Sequence, residues 1–398
     1  MNRITRSPAS ADNSPGTPKC PATDSGESSR TFEKTPGPAG QSASTPGQTV
    51  PHGDRSVVVS GHVLRRPGFS VLIRPRTLIV AAILLVLALV FAFIGLNQGK
   101  VTIPLADVWP AAFGQGEKKY VLAMGLRLPR IAAALTAGAA LGISGAVFQS
   151  VTGNALGSPD VIGLTTGAAT GAITQIVLFD AGPVQVMLAA LVGGLGAAVV
   201  IYLLSLKGGV TGGYRLVLIG LGMGALLGSY NSLLMVRGEV EEAVAANIWV
   251  AGSLEGRQWP QVLPALIGTL VVVPVTIWLA RRATLLEMGD DIASQLGVRA
   301  EPTRRWLIFC GVALAGLATA AVGPIAFIAL SAPQIAKRLT GAKGLSIVPA
   351  GLMGSCLLLG ADVGSHAIPT VTSLPIGQVT GLIGGIYLAW LLTRSKQI

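Results

Sequence analysis

From Thr77 onward, apolar stretches, several of them reaching roughly 20 residues, follow one another with only short polar breaks, and that succession decides what the chain can become. Inside a bilayer every backbone N–H and C=O must find a partner within the protein, which leaves helices or a closed barrel. Barrel strands alternate apolar and polar residues; these runs are too long and too continuously apolar for that. The chain therefore reads as an all-α, polytopic membrane protein. Ten spans are expected, at roughly 77–96, 130–150, 161–179, 184–204, 215–236, 260–280, 306–322, 325–339, 346–365 and 375–393. Only Gly323-Pro324 separates the seventh from the eighth, and the ninth carries Asp362 and ends beside His366.

Residues 1–76 are different material. Segments such as Ser7-Pro8-Ala9-Ser10 and Thr35-Pro36-Gly37-Pro38 hold few large apolar groups, so they cannot offset the entropy of ordering. The expectation is a disordered Ser/Thr/Pro/Gly-rich cytoplasmic tail over 1–76, without a signal-peptide core, followed by a transmembrane domain over 77–398. Cys20, Cys310 and Cys356 fit neither a disulfide framework nor a metal-ligand spacing. His52, His62 and His366 are scattered, so neither metal ligands nor catalytic residues are expected. The net charge of +11 does not imply nucleic acid: the tail supplies +5, and the rest falls at helix ends.

Those basic residues set the orientation. With the N-terminus inside, sixteen Lys/Arg fall on the cytoplasmic side, among them Arg74, Arg76, Arg281, Arg282, Arg299, Arg304 and Arg305. Seven fall outside: Lys100, Lys118, Lys119, Arg127, Arg130, Arg237 and Arg257. The bias puts both termini in the cytoplasm. Glycines recur at four-residue spacing at Gly138/Gly142, Gly163/Gly167/Gly171, Gly220/Gly224/Gly228 and Gly381/Gly385. On a helix this spacing marks a face where backbones approach closely, either as plain packing or as the lining of a translocation path.

Three segments are unusual for a merely structural bundle. Arg127-Leu128-Pro129-Arg130 precedes the second span on the outer side, as an interfacial anchor or a dock for an acidic partner. The loop from Arg281 to Arg305 contains Leu285 to Gly297, which reads as two short helices around a glycine break. Ile292, Leu296 and nearby apolar residues make one apolar face there, while Glu287, Asp290 and Asp291 supply charge, a pattern that suits a helix seated in a protein groove better than one lying on anionic lipid. The third segment is a broken helical region around Gly323-Pro324 and Ser331-Ala332-Pro333.

In their order these segments resemble the FecCD-type permease family, the membrane subunits of bacterial importers for iron–siderophores, haem and cobalamin. The resemblance runs from about Thr77 to Arg394 through Gly138 to Gly145, Gln149, Asn154-Ala155-Leu156-Gly157-Ser158-Pro159, Trp249 to Leu254, Gly323 to Pro333, and Leu374-Pro375-Ile376-Gly377. Ala155 and Gln334 stand where the family more often has proline and histidine, and His366 where the cobalamin-type member has a third outer arginine. The resemblance implies a fold of the type II ABC-importer permease kind. It implies docking of an extracytoplasmic substrate-binding protein at Arg127, Arg130 and His366. It implies coupling to cytoplasmic ATPase subunits through Leu285, Glu287, Met288, Gly289, Asp290, Asp291, Ile292, Leu296 and Gly297. It gives Asn154, Gly163, Gly167, Gly220, Gly224, Gly323, Pro324 and Pro333 to the translocation path or to helix packing.

The further expectations are a second permease subunit, identical or related, in a bacterial inner membrane, surrounded by lipid. No cofactor is expected on this chain, which lacks the Gly-x-x-x-x-Gly-Lys-Ser/Thr loop; ATP would be used by the partner. The rival reading is an ion- or proton-coupled secondary transporter, which usually needs ionisable residues inside its spans. Here Asp362 is the chief such residue.

Overall fold

A computed structural model describes residues 62–66, 69–99, 101–207, 210–211, 213–342, 344–367 and 375–394. Two strands, β1 (His62–Arg66) and β2 (Phe69–Ile73), pair antiparallel with His62 opposite Ile73. Helices follow: α1 (Pro75–Asn97), α2 (Leu105–Ala112), α3 (Lys118–Thr152), α4 (Leu164–Phe179) and α5 (Pro183–Ser205). A second antiparallel pair, β3 (Leu206–Lys207) and β4 (Val210–Thr211), leads to α6 (Gly213–Arg237), α7 (Val240–Val250), α8 (Trp259–Leu286) and α9 (Asp290–Gln295). The chain ends with α10 (Ala300–Val322), α11 (Ile328–Thr340), α12 (Ile347–His366) and α13 (Ile376–Arg394).

Ten of these helices coincide in order with the ten expected runs: α1, α3, α4, α5, α6, α8 and α10 to α13. Among the described residues, seven helices are long and apolar enough to cross a membrane, and α4 and α13 are shorter apolar helices. The fold is all-helical apart from the two short strand pairs. The first pair is a departure from expectation. His62–Ile73 lies in the stretch expected to be unstructured, yet Val63-Leu64 and Val71-Leu72-Ile73 are residues that favour strands, and their backbones pair. Helix α1 then opens on Pro75, whose fixed φ and missing N–H suit a first turn. The expected tail residues 1–61 lie outside the described residues.

Helix α3 is the hub, packing against α12, α10, α11, α8 and α1. Its glycines explain how. A Cβ on Gly138 would sit 2.6 Å from the Gly354 carbonyl oxygen of α12, and one on Gly142 would strike the Ala350 carbonyl. Gly145 lies against Ala329 of α11. Pro333, inside α11, has no N–H to give the Ala329 carbonyl four residues back, so the freed carbonyl faces α3 at its narrowest point. Ser144 donates to the Gly311 carbonyl at 2.7 Å, and Ser355 to the Leu135 carbonyl at 2.7 Å, adding hydrogen bonds between helices. Gly167 and Gly171 meet Gly193 and Ala189 of α5 in the same way.

The break after α10 is real, but α11 is not interrupted at Pro333. Gly323, at φ +81°, ends α10, and Phe327 opens α11 at φ +66°, a left-handed conformation unusual for an aromatic residue. Gly384 of α13 leaves the space that the Phe327 ring occupies.

Gly142→Leu should force α3 from α12 and cost on the order of 1–3 kcal/mol, as overpacking does. Thermal melting in detergent checks this, with Gly228→Ala, where a Cβ meets open space, as the neutral control. An unchanged melt for Gly142→Leu would mean the helices are not in backbone contact.

Candidate functional site

At the end of the bundle where α7 lies, α3 carries both arginines singled out in the sequence. Arg127 donates to the carbonyls of Leu96 at 2.7 Å and Val101 at 2.6 Å, so it ties the end of α1 and the following segment to α3. Arg130 donates through Nε (3.1 Å) and Nη2 (2.6 Å) to Oδ1 of Asp362 on α12. Its Nη2 also lies 2.8 Å from Nδ1 of His366, and His366 Nε2 lies 3.5 Å from Glu255 Oε1. Nδ1 also lies 2.9 Å from the Asp362 carbonyl and 3.1 Å from Ser365 Oγ. The structure thus brings Arg130 and His366 into direct contact, with Asp362 on the arginine and Glu255 on the histidine. The arginine side chain keeps 17% of its surface and Asp362 only 2%.

Neither acid was paired with Arg130 in the sequence reading. The signal available was Asp362 and His366, four residues apart on one apolar helix: an acid in such a place needs a cation at the same depth. Arg257 is a further buried cation here. Its Nε donates to the Ser253 carbonyl at 2.9 Å, and burial lowers its guanidinium to about 10, still charged near neutral pH.

At the opposite end, α8 runs on through Leu285 and Leu286, and α9 alone occupies the stretch where two short helices were expected. Gly289 (φ +106°) and Gly297 (φ +80°) frame it; only glycine takes such angles without strain, and this hinge shortens the element to one helix. Ile292 and Leu296, four residues apart along α9 and its C-cap, are exposed, as is Met288 before the Gly289 break, while Ala293 is buried. Arg304 holds Asp290 at 3.0 Å and Glu301 at 2.8 Å, fixing α9 on α10. Ser150, on the last turn of α3, donates to Glu287 at 2.7 Å. Asp291 is exposed.

Among the described residues, those grouped as path or packing fall at several separate places. Pro324 borders a cavity of about 550 Å3 with Asp160, Thr165, Asn247 and Gln378. Pro333 borders another, of about 640 Å3, with Gln149, Ser150, Glu287, Gly289 and Gln334. Gln334 bridges α11 to α3, donating to Gln149 Oε1 at 2.7 Å and to the Ala155 carbonyl at 3.2 Å. Asn154 accepts from the Leu156 N–H at 2.9 Å in an exposed turn. Gly163 starts α4 at φ +68° near the Gly220 carbonyl; Gly167 packs on α5; Gly323 meets the Trp249 carbonyl. Gly224 makes no close approach: a Cβ there would find only Thr166 Oγ1, at 3.9 Å.

Removing one partner of a buried ion pair strands the other charge. Asp362→Ala should therefore destabilise the protein by on the order of 3 kcal/mol. The apolar swap Arg130→Met with Asp362→Leu should recover most of it. Detergent melting curves of the three proteins check this; an Asp362→Ala protein as stable as the parent would show the pair to be solvent-screened.

A match to the FecCD transport family spans residues 84–394. The ferric enterobactin transport system permease protein FepG of Escherichia coli (strain K12) is 40% identical over 324 residues, 81% of this chain and 98% of that protein. The iron(3+)-hydroxamate import system permease protein FhuG of Bacillus subtilis (strain 168) is 33% identical over 334 residues, with coverage of 81% and 98%. A solved metal-chelate type ABC transporter in an inward-facing conformation superposes with a TM-score of 0.70 at 26% identity, covering 80% of this chain and 99% of that one. The chain belongs to the FecCD transport family.

Proposed function

We propose that this chain is the membrane-spanning permease subunit of an ABC importer that carries an iron chelate across a bacterial inner membrane. The observation that carries the reading is the family match over 84–394, with permease relatives covered along almost their whole length. The relatives are named for ferric enterobactin and for iron(3+)-hydroxamate, which supports an iron(III) chelate as the cargo class. The excess of Lys/Arg at the α9 end supports placing that end, and both termini, in the cytoplasm.

ATP is then hydrolysed by partner subunits, and this chain binds no cofactor. The α9 element docks on the ATPase through Met288, Ile292 and Leu296, and the Ser150–Glu287 bond passes its displacement to α3. A second permease subunit completes the path. The secondary-transporter reading is weakened because the chief candidate ion ligand, Asp362, already has its Oδ1 held by Arg130. A substrate-binding protein docks at the α7 end. Arg127 has donors committed to backbone and Arg130 to Asp362, so His366, 27% exposed beside Glu255, presents the more available polar edge.

Proteoliposomes holding the permease, its ATPase and a loaded binding protein test this. Uptake of a ferric chelate should follow ATP and ignore protonophores; uptake that collapses with the proton gradient would overturn the reading. In the same system Gly289→Trp should leave a folded permease whose ATPase no longer responds to loaded binding protein. Gly289→Ala separates bulk from backbone strain, since a Cβ there meets open space. Charge-steered docking should weaken as ionic strength rises; a salt-independent affinity would place the outer contact elsewhere.

A further inference from the structure

The last turns of α8 and the first turns of α10 border a cavity of about 440 Å3 that reaches Gly297 at the end of the α9 element and lies outside both cavities described above. Its walls include Trp278, Arg282, Arg299, Pro302, Thr303 and Trp306. The Arg282 guanidinium lies over the Trp278 ring, 4.4 Å from its centroid. Among the described residues neither Arg282 nor Arg299 has a carboxylate partner, whereas the nearby acids Asp290 and Glu301 are both held by Arg304. Trp278 and Trp306 are 62% and 58% exposed, and Phe309 stands edge-on to Trp306 at 6.0 Å.

Depth and charge together identify the occupant. At 1.5 Å per residue, Trp278 lies roughly 12 Å from the end of α8 and Trp306 roughly 9 Å from the start of α10. Both indoles therefore sit at one level, where the headgroup region meets the acyl chains, with the arginines nearer the aqueous edge. An aromatic wall at that depth suits an acyl chain better than the polar surface of a soluble protein. Guanidinium groups bind phosphate oxygens in paired hydrogen bonds. Two unpaired cations also repel the ammonium of a zwitterionic headgroup.

We propose that this cavity is a binding site for an anionic phospholipid, its phosphodiester held by Arg282 and Arg299 and an acyl chain laid on Trp278 and Trp306. The proposal requires only that α8 and α10 cross a bilayer, not that the chain carries an iron chelate.

The test uses the full chain in phosphatidylcholine nanodiscs doped with phosphatidylglycerol brominated on its acyl chains. Brominated phosphatidylglycerol should quench tryptophan fluorescence well beyond brominated phosphatidylcholine at equal mole fraction. The local enrichment should be about tenfold or more, the order expected for two arginines at a membrane surface. Arg282→Gln with Arg299→Gln should remove the excess while leaving the melting curve in pure phosphatidylcholine unchanged. Trp278→Phe with Trp306→Phe should remove it with the charges intact. Equal quenching by the two lipids, or an excess that survives the double arginine change, would overturn the proposal. So would loss of the excess on adding inorganic phosphate, which would assign a free-anion site instead.

Discussion

Backbone contact between α3 and α12 is the constraint on which the rest of the molecule depends. In lipid there is no hydrophobic gain from bringing two apolar helices together, so association rests on close van der Waals contact and hydrogen bonds between helices. Gly138, Gly142 and Gly354 remove the side chains that would hold the axes apart, and Ser355 then reaches the Leu135 carbonyl. Gly145 repeats the arrangement towards α11. With α3 gripped along its length, Arg130 and Ser150 become two marks on one stiff rod, about 30 Å apart at the helical rise. One mark belongs to the α7-end cluster and the other touches Glu287.

The two ends use charge differently. At the α7 end Arg130 and Asp362 meet where little water reaches, and a buried pair of this kind gives little net stability because desolvation offsets the attraction. Its geometry is nonetheless demanding. A slip of α12 by one residue would rotate Asp362 away from Arg130 by about 100°. At the α9 end Asp290 is half in solvent, and its bond to Arg304 is screened and easily exchanged. One end therefore has a fixed register and the other a compliant one.

The long helices were legible because lipid imposes a length and a continuity that few other environments require. Seven of the ten apolar runs became helices long and apolar enough to cross a membrane, two became the shorter apolar α4 and α13, and the run after Gly323-Pro324 became the 13-residue α11. Helices α2 and α7 were missed because each is short and flanks a polar connection, where local capping decides, as Glu239 and Glu242 do for α7. Pro333 looked like a break, but α11 continues through it because the carbonyl it frees is covered by Gly145. The site was legible as residue types and not as pairings. Arg130 and Asp362 are 232 positions apart, and nothing local in either segment indicates that they meet. The exposed Ile292 and Leu296 were readable as one apolar face, whereas Gly224, spaced like the close-packed glycines, meets only Gly163 and Thr166 at ordinary contact distance.

Phe327 and Gly384 have a bearing on how α13 can move. A bulky residue held at positive φ stores on the order of 1–3 kcal/mol of backbone strain. Here the ring is kept in place by the notch that Gly384 leaves in α13. If α13 slides or turns, the notch leaves the ring, and the first turn of α11 is free to relax to ordinary helical angles. The contact then works as a detent: α13 rests in one discrete position, and leaving it releases strain directly into the helix that carries Pro333 and Gln334.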